Sequence, residues 1–272
     1  MKKKTNRSTV LFILVFLVGL SLLLYPSISN WWNASRATQA IVGYTEKLKK
    51  MDLAEYQAMW QAAVEYNRGL AAQGQNQVLS QGQKAHYQSI LDVTGTGIMG
   101  YIEIPSIDVS LPIHHGTEEN VLQVAVGHLD WTSFPVGGDS THCVLSAHRG
   151  LPSAKLFTDL DRLKEGDIFL LHVLDETLTY QVDQILTVEP QEIQELYIQE
   201  GQDLCTLVTC TPYGINTHRL LVRGHHIENL PDDFIHVTAE AVPIDPFLVA
   251  PLVAAPILAG LFLLVMVKYR KK

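Results

Sequence analysis

Hydrophobic and polar positions divide the 272-residue chain into three textures. The first is continuous apolarity without charge, at residues 10–24 (VLFILVFLVGLSLLL) and again at 247–267 (FLVAPLVAAPILAGLFLLVMV). A bilayer-spanning helix takes roughly 20 mostly apolar residues, with about 17 as the lower limit. The second run meets this outright, and the first does once Thr9 and residues 25–28 are added, so spans are predicted over 9–28 and 247–267. The second texture, residues 29–96, is polar and amphipathic. Apolar side chains recur at spacings of three and four through Ile41, Tyr44, Leu48 and Met51, then through Tyr56, Met59, Trp60, Ala63 and Val64. That period predicts two helices, broken at the Gln- and Gly-rich residues 73–77. They are expected to form a stalk between the membrane and the main domain.

The third texture, 97–232, begins after Thr94-Gly-Thr-Gly97 and alternates with period two. Strands are predicted at 99–104, 107–111, 143–145, 168–173, 178–182, 185–188, 204–210 and 219–223. Short strands at this spacing, separated by Gly, Pro and Asp turns, suggest a mainly β fold, a closed or nearly closed antiparallel barrel. Residues 153–163 and 192–198 read as short helices between strands, and 233–246 as a polar linker to the second span.

Charge orients this arrangement. Lys2, Lys3, Lys4 and Arg7 form a basic tail over 1–8, and Lys268, Arg270, Lys271 and Lys272 another over 268–272. Positive clusters stay in the cytoplasm, so both termini are predicted inside and everything between the spans outside, with membrane lipid as a partner. A cleaved signal peptide is the rival for the first span. The Tyr25-to-Trp32 stretch favours a retained anchor, because it offers no clear small-x-small cleavage site and resembles an interfacial aromatic belt. Eight of the 20 Lys and Arg lie in the tails, which hold no acid, leaving 12 basic against 28 acidic residues between them. That balance excludes nucleic acid, which is bound mainly through Lys and Arg on phosphates.

Three cysteines, Cys143, Cys205 and Cys210, are too few and odd in number for a disulfide framework. Cys143 and Cys205 sit mid-strand among apolar neighbours, where a thiol usually behaves as a small inert hydrophobe. Cys210 ends its strand before a Pro-Tyr-Gly turn, a position that holds a nucleophile rigidly while exposing it. If the loop 211–218 reverses the chain, Arg219 lies across from Cys210. A guanidinium there can lower a thiol pKa or hydrogen-bond an oxyanion. His148, which follows the strand at Cys143 and opens a loop, is the favoured acid–base group among 11 histidines. The pairs His114-His115 and His225-His226 lack the carboxylate or Cys companions of a zinc site. No metal or other cofactor is expected.

Thr206-Leu207-Val208-Thr209-Cys210 resembles the TLxTC signature of sortases, Ser146 to Gly150 resembles their His motif, and Arg219 matches their Arg. The similarity runs from about Gly100 to His226. Within that family the chain most resembles class C, the pilin polymerases, in Tyr101 to Pro105, in 127–141 and in 211–219. A second span after the barrel is also a class C habit. The resemblance implies an eight-stranded barrel on a Gram-positive cell surface and a cysteine transpeptidase using Cys210, His148 and Arg219. It also implies cleavage of an LPxTG-like sorting signal between Thr and Gly and transfer of the acyl group to a pilin lysine. Attachment to cell-wall peptide by a housekeeping-type sortase is the alternative, and a non-catalytic pilin-binding scaffold is a third reading. Class C enzymes often carry a lid with an Asp-Pro-aromatic motif. The region matched to it here reads Leu91-Asp92-Val93-Thr94-Gly95, so within the possible lid region 29–96 Asp92 is the lid candidate without the Pro or the aromatic ring, and a weak or absent lid with Cys210 accessible is expected.

Overall fold

A computed structural model of the chain describes residues 7–75, 77–229, 255, 256 and 260. The linker at 233–246, the C-terminal tail and all but three positions of the second apolar run lie outside the described residues. The described residues divide into two units, one holding 7–33 and 152–154, the other 34–75, 77–151 and 155–229. Helix α1 (Arg7–Leu48), whose residues 7–33 belong to the first, starts with an apolar stretch of mean hydropathy 2.5, none of it buried, and is long enough to cross a membrane. Leu11, Phe12 and Leu22 on this helix are exposed. A helix apolar on all sides needs an apolar medium around it.

The second unit is an eight-stranded closed barrel. Its strands are β1 (Ile98–Ile104), β2 (Val109–His115), β3 (Val126–His128), β4 (Thr141–Ser146), β5 (Ile168–Val173), β6 (Glu176–Val188), β7 (Asp203–Thr211) and β8 (His218–Ile227). Around the barrel they run β1-β2-β3-β4-β7-β8-β6-β5, and β5 pairs back onto β1. The expectation of an antiparallel barrel needs correction: β2 with β3 and β4 with β7 are parallel, while the other six pairs are antiparallel. Strand β7 shows why periodicity understates such a pairing. Its six central residues are all buried, because one face lines the barrel interior and the other the floor of a cleft.

Strand β3 gave no sequence signal. It has three residues, and its centre is Gly127, where an added Cβ would lie 2.3 Å from the Gly116 carbonyl oxygen. The runs at 178–182 and 185–188 belong to one strand, β6, whose pairing with β8 shifts register between Val182 and Gln184, a bulge at Asp183. The helices expected at 153–163 and 192–198 reduce to single 3₁₀ turns at Leu160–Arg162 and Gln194–Leu196.

The segment before the barrel also departs from expectation. It holds three helices rather than two: the second part of α1, α2 (Leu53–Gln73) and α3 (Gln81–Ser89). The Asp52 carboxylate caps α2 by accepting from the Glu55 N–H at 2.8 Å, and Ser80 and Gln83 form a reciprocal capping box on α3. These helices are not a free stalk, because Tyr44, Asn67 and Tyr87 are buried against the barrel. The Tyr44 hydroxyl accepts from the Leu174 N–H at 2.7 Å and donates to the Met99 carbonyl at 3.1 Å. The Asn67 amide makes both bonds to the Phe134 backbone, at 2.7 and 3.0 Å. Tyr87 accepts from the Gly116 N–H at 3.0 Å. Each helix thus satisfies backbone groups that the barrel leaves open, which is what buried polar groups require.

Removing one such bond tests this. Tyr44→Phe leaves the buried Leu174 N–H unpaired, at a cost of about 1–3 kcal/mol, and is expected to lower the melting temperature of the barrel by several degrees in calorimetry. An unchanged melting temperature would mean that the helices do not fold with the barrel.

Candidate active site

Two registers bring the sequence-predicted residues together. In the parallel β4–β7 pair each residue of β4 faces the residue 62 positions later, from Thr141↔Asp203 to Ser146↔Val208. The contact continues past the end of β4: the Ala147 N–H donates to the Val208 carbonyl at 3.2 Å, and Thr209 Oγ1 donates to the Ala147 carbonyl at 2.8 Å. His148, one residue on, therefore stands beside Cys210 with the same offset. In the antiparallel β7–β8 pair Cys210 faces Arg219 directly, and Thr211 faces His218. The turn between them is closed by N–H bonds from Ile215 and Asn216 to the Pro212 carbonyl at 3.1 and 3.0 Å.

All three side chains line one cleft of about 380 Å³. Its floor is apolar, built on Trp131, Val144, Leu196, Val208 and Leu221, with Leu129, Leu186, Val188 and Ile193 packed against them. Cys210 is partly exposed, whereas Cys143 and Cys205 are buried. Arg219 holds its Nη1 against the His218 and Asn216 carbonyls at 3.1 and 3.4 Å. The second arginine of its strand is committed elsewhere: Arg223 grips Asp183 through Nε at 2.9 Å and Nη2 at 3.4 Å. His148 Nε2 is shielded from solvent and has no hydrogen-bond partner among the described residues. Glu119, at the start of the short helix α4 (Glu119–Leu122), places Oε2 3.7 Å from it, beyond hydrogen-bond distance. An imidazole nitrogen without a hydrogen-bond partner, in one cleft with a thiol and a guanidinium, suits proton transfer to and from a bound group.

Sequence reasoning missed two features. Arg149 ties the His148 loop to the β7–β8 turn. Its guanidinium pairs with Asp161, donates to Thr211 Oγ1 at 3.3 Å and lies 5.9 Å above the Tyr213 ring. Its adjacency to His148 was the only available signal. The second feature is the α2–α3 loop, described at residues 74, 75 and 77–80. Gln75 accepts from the Ile198 N–H at 2.7 Å and donates to the Leu196 carbonyl at 3.4 Å, while Gln77 donates to the Tyr197 hydroxyl at 3.1 Å and lines the cleft. Asp92 is placed differently. Its carboxylate accepts from the Gly97 N–H at 2.8 Å, and it is not among the residues lining the cleft. It faces His114 and His115, whose pKa values burial lowers while Asp92 acts in the opposite sense.

The sortase-domain profile matches residues 102–227. A sortase A of Bacillus anthracis is 25% identical over 217 residues, 79% of this chain and 92% of its own length. Among solved structures, sortase C1 of Streptococcus agalactiae superposes with a TM-score of 0.70 at 50% identity, covering 71% of this chain and 100% of that one. A sortase C of Clostridium perfringens, solved with the C-terminal cell wall sorting motif, superposes at 0.62 with 44% identity over 71% of this chain and 100% of its own. The barrel, the cleft and these likenesses agree: the chain belongs to the sortase family of cysteine transpeptidases.

Proposed function

We propose that this sortase is of class C: it cleaves an LPxTG-like signal between Thr and Gly and transfers the acyl group to a lysine amine of a pilin. The observation that carries this is the likeness at 42–50% identity to sortase C structures over 71% of this chain, against 25–29% for the sortase A relatives. Cys210 attacks the scissile carbonyl and forms a thioester, dividing one hard acyl transfer into two easier steps. Arg219, one strand away, donates to the developing oxyanion or to the substrate backbone. His148 Nε2 protonates the leaving amine and later takes a proton from the incoming one. The apolar floor below Cys210 suits the aliphatic part of the sorting signal. Attachment to cell-wall peptide is the alternative outcome, and the acceptor amine distinguishes the two.

The helix at the N-terminus suits membrane anchoring. From the basic tails we infer a two-span protein with both termini cytoplasmic and the barrel outside. As lid candidate we favour over Asp92 the described part of the α2–α3 loop, where Gln75 bonds to Ile198 and Leu196, and Gln77 lines the cleft and makes one neutral hydrogen bond to Tyr197.

Three outcomes test this reading. In the native enzyme iodoacetamide should label Cys210 alone, and Cys210→Ala should form no thioester with a sorting peptide in mass spectrometry; an adduct on that variant would remove the nucleophile assignment. Arg219→Lys keeps the charge but loses the planar fork, so turnover should fall at least tenfold, while Arg223→Lys keeps activity within a few-fold. The reverse ranking would transfer the role to Arg223. Gln77→Ala should speed Cys210 alkylation by no more than about fivefold, the factor that ~1 kcal/mol from one neutral hydrogen bond supplies. A much larger acceleration would show that Gln77 shields Cys210 by more than one neutral hydrogen bond supplies.

A further inference from the structure

The two cysteines outside the cleft are placed as a pair. Cys143 on β4 and Cys205 on β7 are direct register partners in the parallel ladder. Val144 and Val208 point to the cleft floor, so alternation turns Cys143 and Cys205 together to the other side, into the barrel interior. Both are free thiols and almost fully buried, at 2% and 0% exposure. Neighbouring strands lie about 4.8 Å apart, inside the Cα separation of roughly 4.4–6.8 Å that disulfides span. The two Cα–Cβ bonds leave the same face side by side. Cys210 is excluded as a partner, because it lies five residues along β7 from Cys205, roughly 17 Å away at about 3.3 Å per residue, and on the opposite face.

Their chemistry agrees with the geometry. Burial alone would raise the Cys143 thiol, but hydrogen bonding with Cys205 and with His128 outweighs it and holds the pKa below the ordinary thiol value. Burial and the presence of Cys143 push Cys205 well up.

We propose that Cys143 and Cys205 form a structural disulfide across the β4–β7 wall of the barrel. The oxidant is a disulfide, either a small molecule or a protein. The thiolate of one of the two cysteines attacks one of its sulfurs and expels the first thiolate. The second cysteine sulfur then attacks the first in the mixed disulfide and expels the second thiolate. One S–S bond forms in the protein, one is lost from the oxidant, and the two cysteine protons end on the released thiols. Both sulfurs are sealed in the folded barrel, so the bond forms as the two strands come together. It closes a loop of 62 residues, and restricting the unfolded chain in this way stabilises the fold. The strands it joins are those that end in His148 and Cys210, but the proposal does not depend on the roles given to them.

The test unfolds the full chain, refolds it into detergent micelles with excess oxidised dithiothreitol, a disulfide that leaves no lasting adduct on Cys210, then removes that reagent and denatures and alkylates the protein without reductant. The expected result is one alkylated cysteine, Cys210, rising to three after reduction, with an intact mass about 2 Da lower before reduction. Peptide mapping should show the 143–205 link. Reduction should lower the melting temperature by roughly 10 °C, whereas Cys205→Ala should show two labels and a melting temperature insensitive to reductant. Three labels without reductant, or a link that includes Cys210, would overturn the proposal.

Discussion

The site depends on strand register, and above all on the parallel pairing of β4 with β7. Cys210, His148 and Arg219 come from three chain segments, and no direct bond joins their side chains among the described contacts. Backbone hydrogen bonds bring them together: the constant 62-residue offset that carries on through Ala147 to His148, and the antiparallel step that sets Arg219 across from Cys210. Because side chains alternate across a strand, a slip of one residue in either ladder would turn a functional group into the barrel interior. The apolar floor under the cleft makes such a slip expensive, since Val144, Val208 and Leu221 would exchange places with inward-facing neighbours.

The Cys210–Arg219 opposition was legible in the sequence, because alternation and a short Pro- and Gly-containing turn leave little freedom between the two residues. The identities of β1, β5, β7 and β8 were legible for the same reason. The parallel pairings were not, since period-two alternation says which face a residue takes but nothing about strand direction or about partners 62 residues apart. Strand β3 was invisible because its central position is a glycine required by close backbone approach. The helices before the barrel looked like a stalk because the side chains that dock them, among them Tyr44, Tyr66, Asn67 and Tyr87, are polar or amphipathic and carry no pattern that names a partner on the barrel.

Asp92 was the one surviving part of a lid motif, and the loss of its Pro and aromatic ring led to the expectation of a weak or absent lid. The structure uses that carboxylate to cap the turn at Gly97, and a glutamine-rich stretch with no such signature approaches the cleft instead. Arg149 carries a similar lesson. Its ties to Asp161, Thr211 and Tyr213 connect elements that composition cannot relate, and they hold the loop bearing the imidazole against the turn that follows the thiol.

The long connection between β4 and β7 has a consequence for the timing of assembly. Residues 147–202 must be synthesised and must build β5 and β6 before β7 exists to pair with β4, and β8 closes the barrel only when residue 227 is in place. Contacts so distant in sequence form late and slowly, because chain closure has to be met before any pairing rewards it. A thiol on a half-made chain therefore has no guanidinium across from it and no imidazole beside it. The chemistry is withheld until the chain is essentially complete, by topology alone.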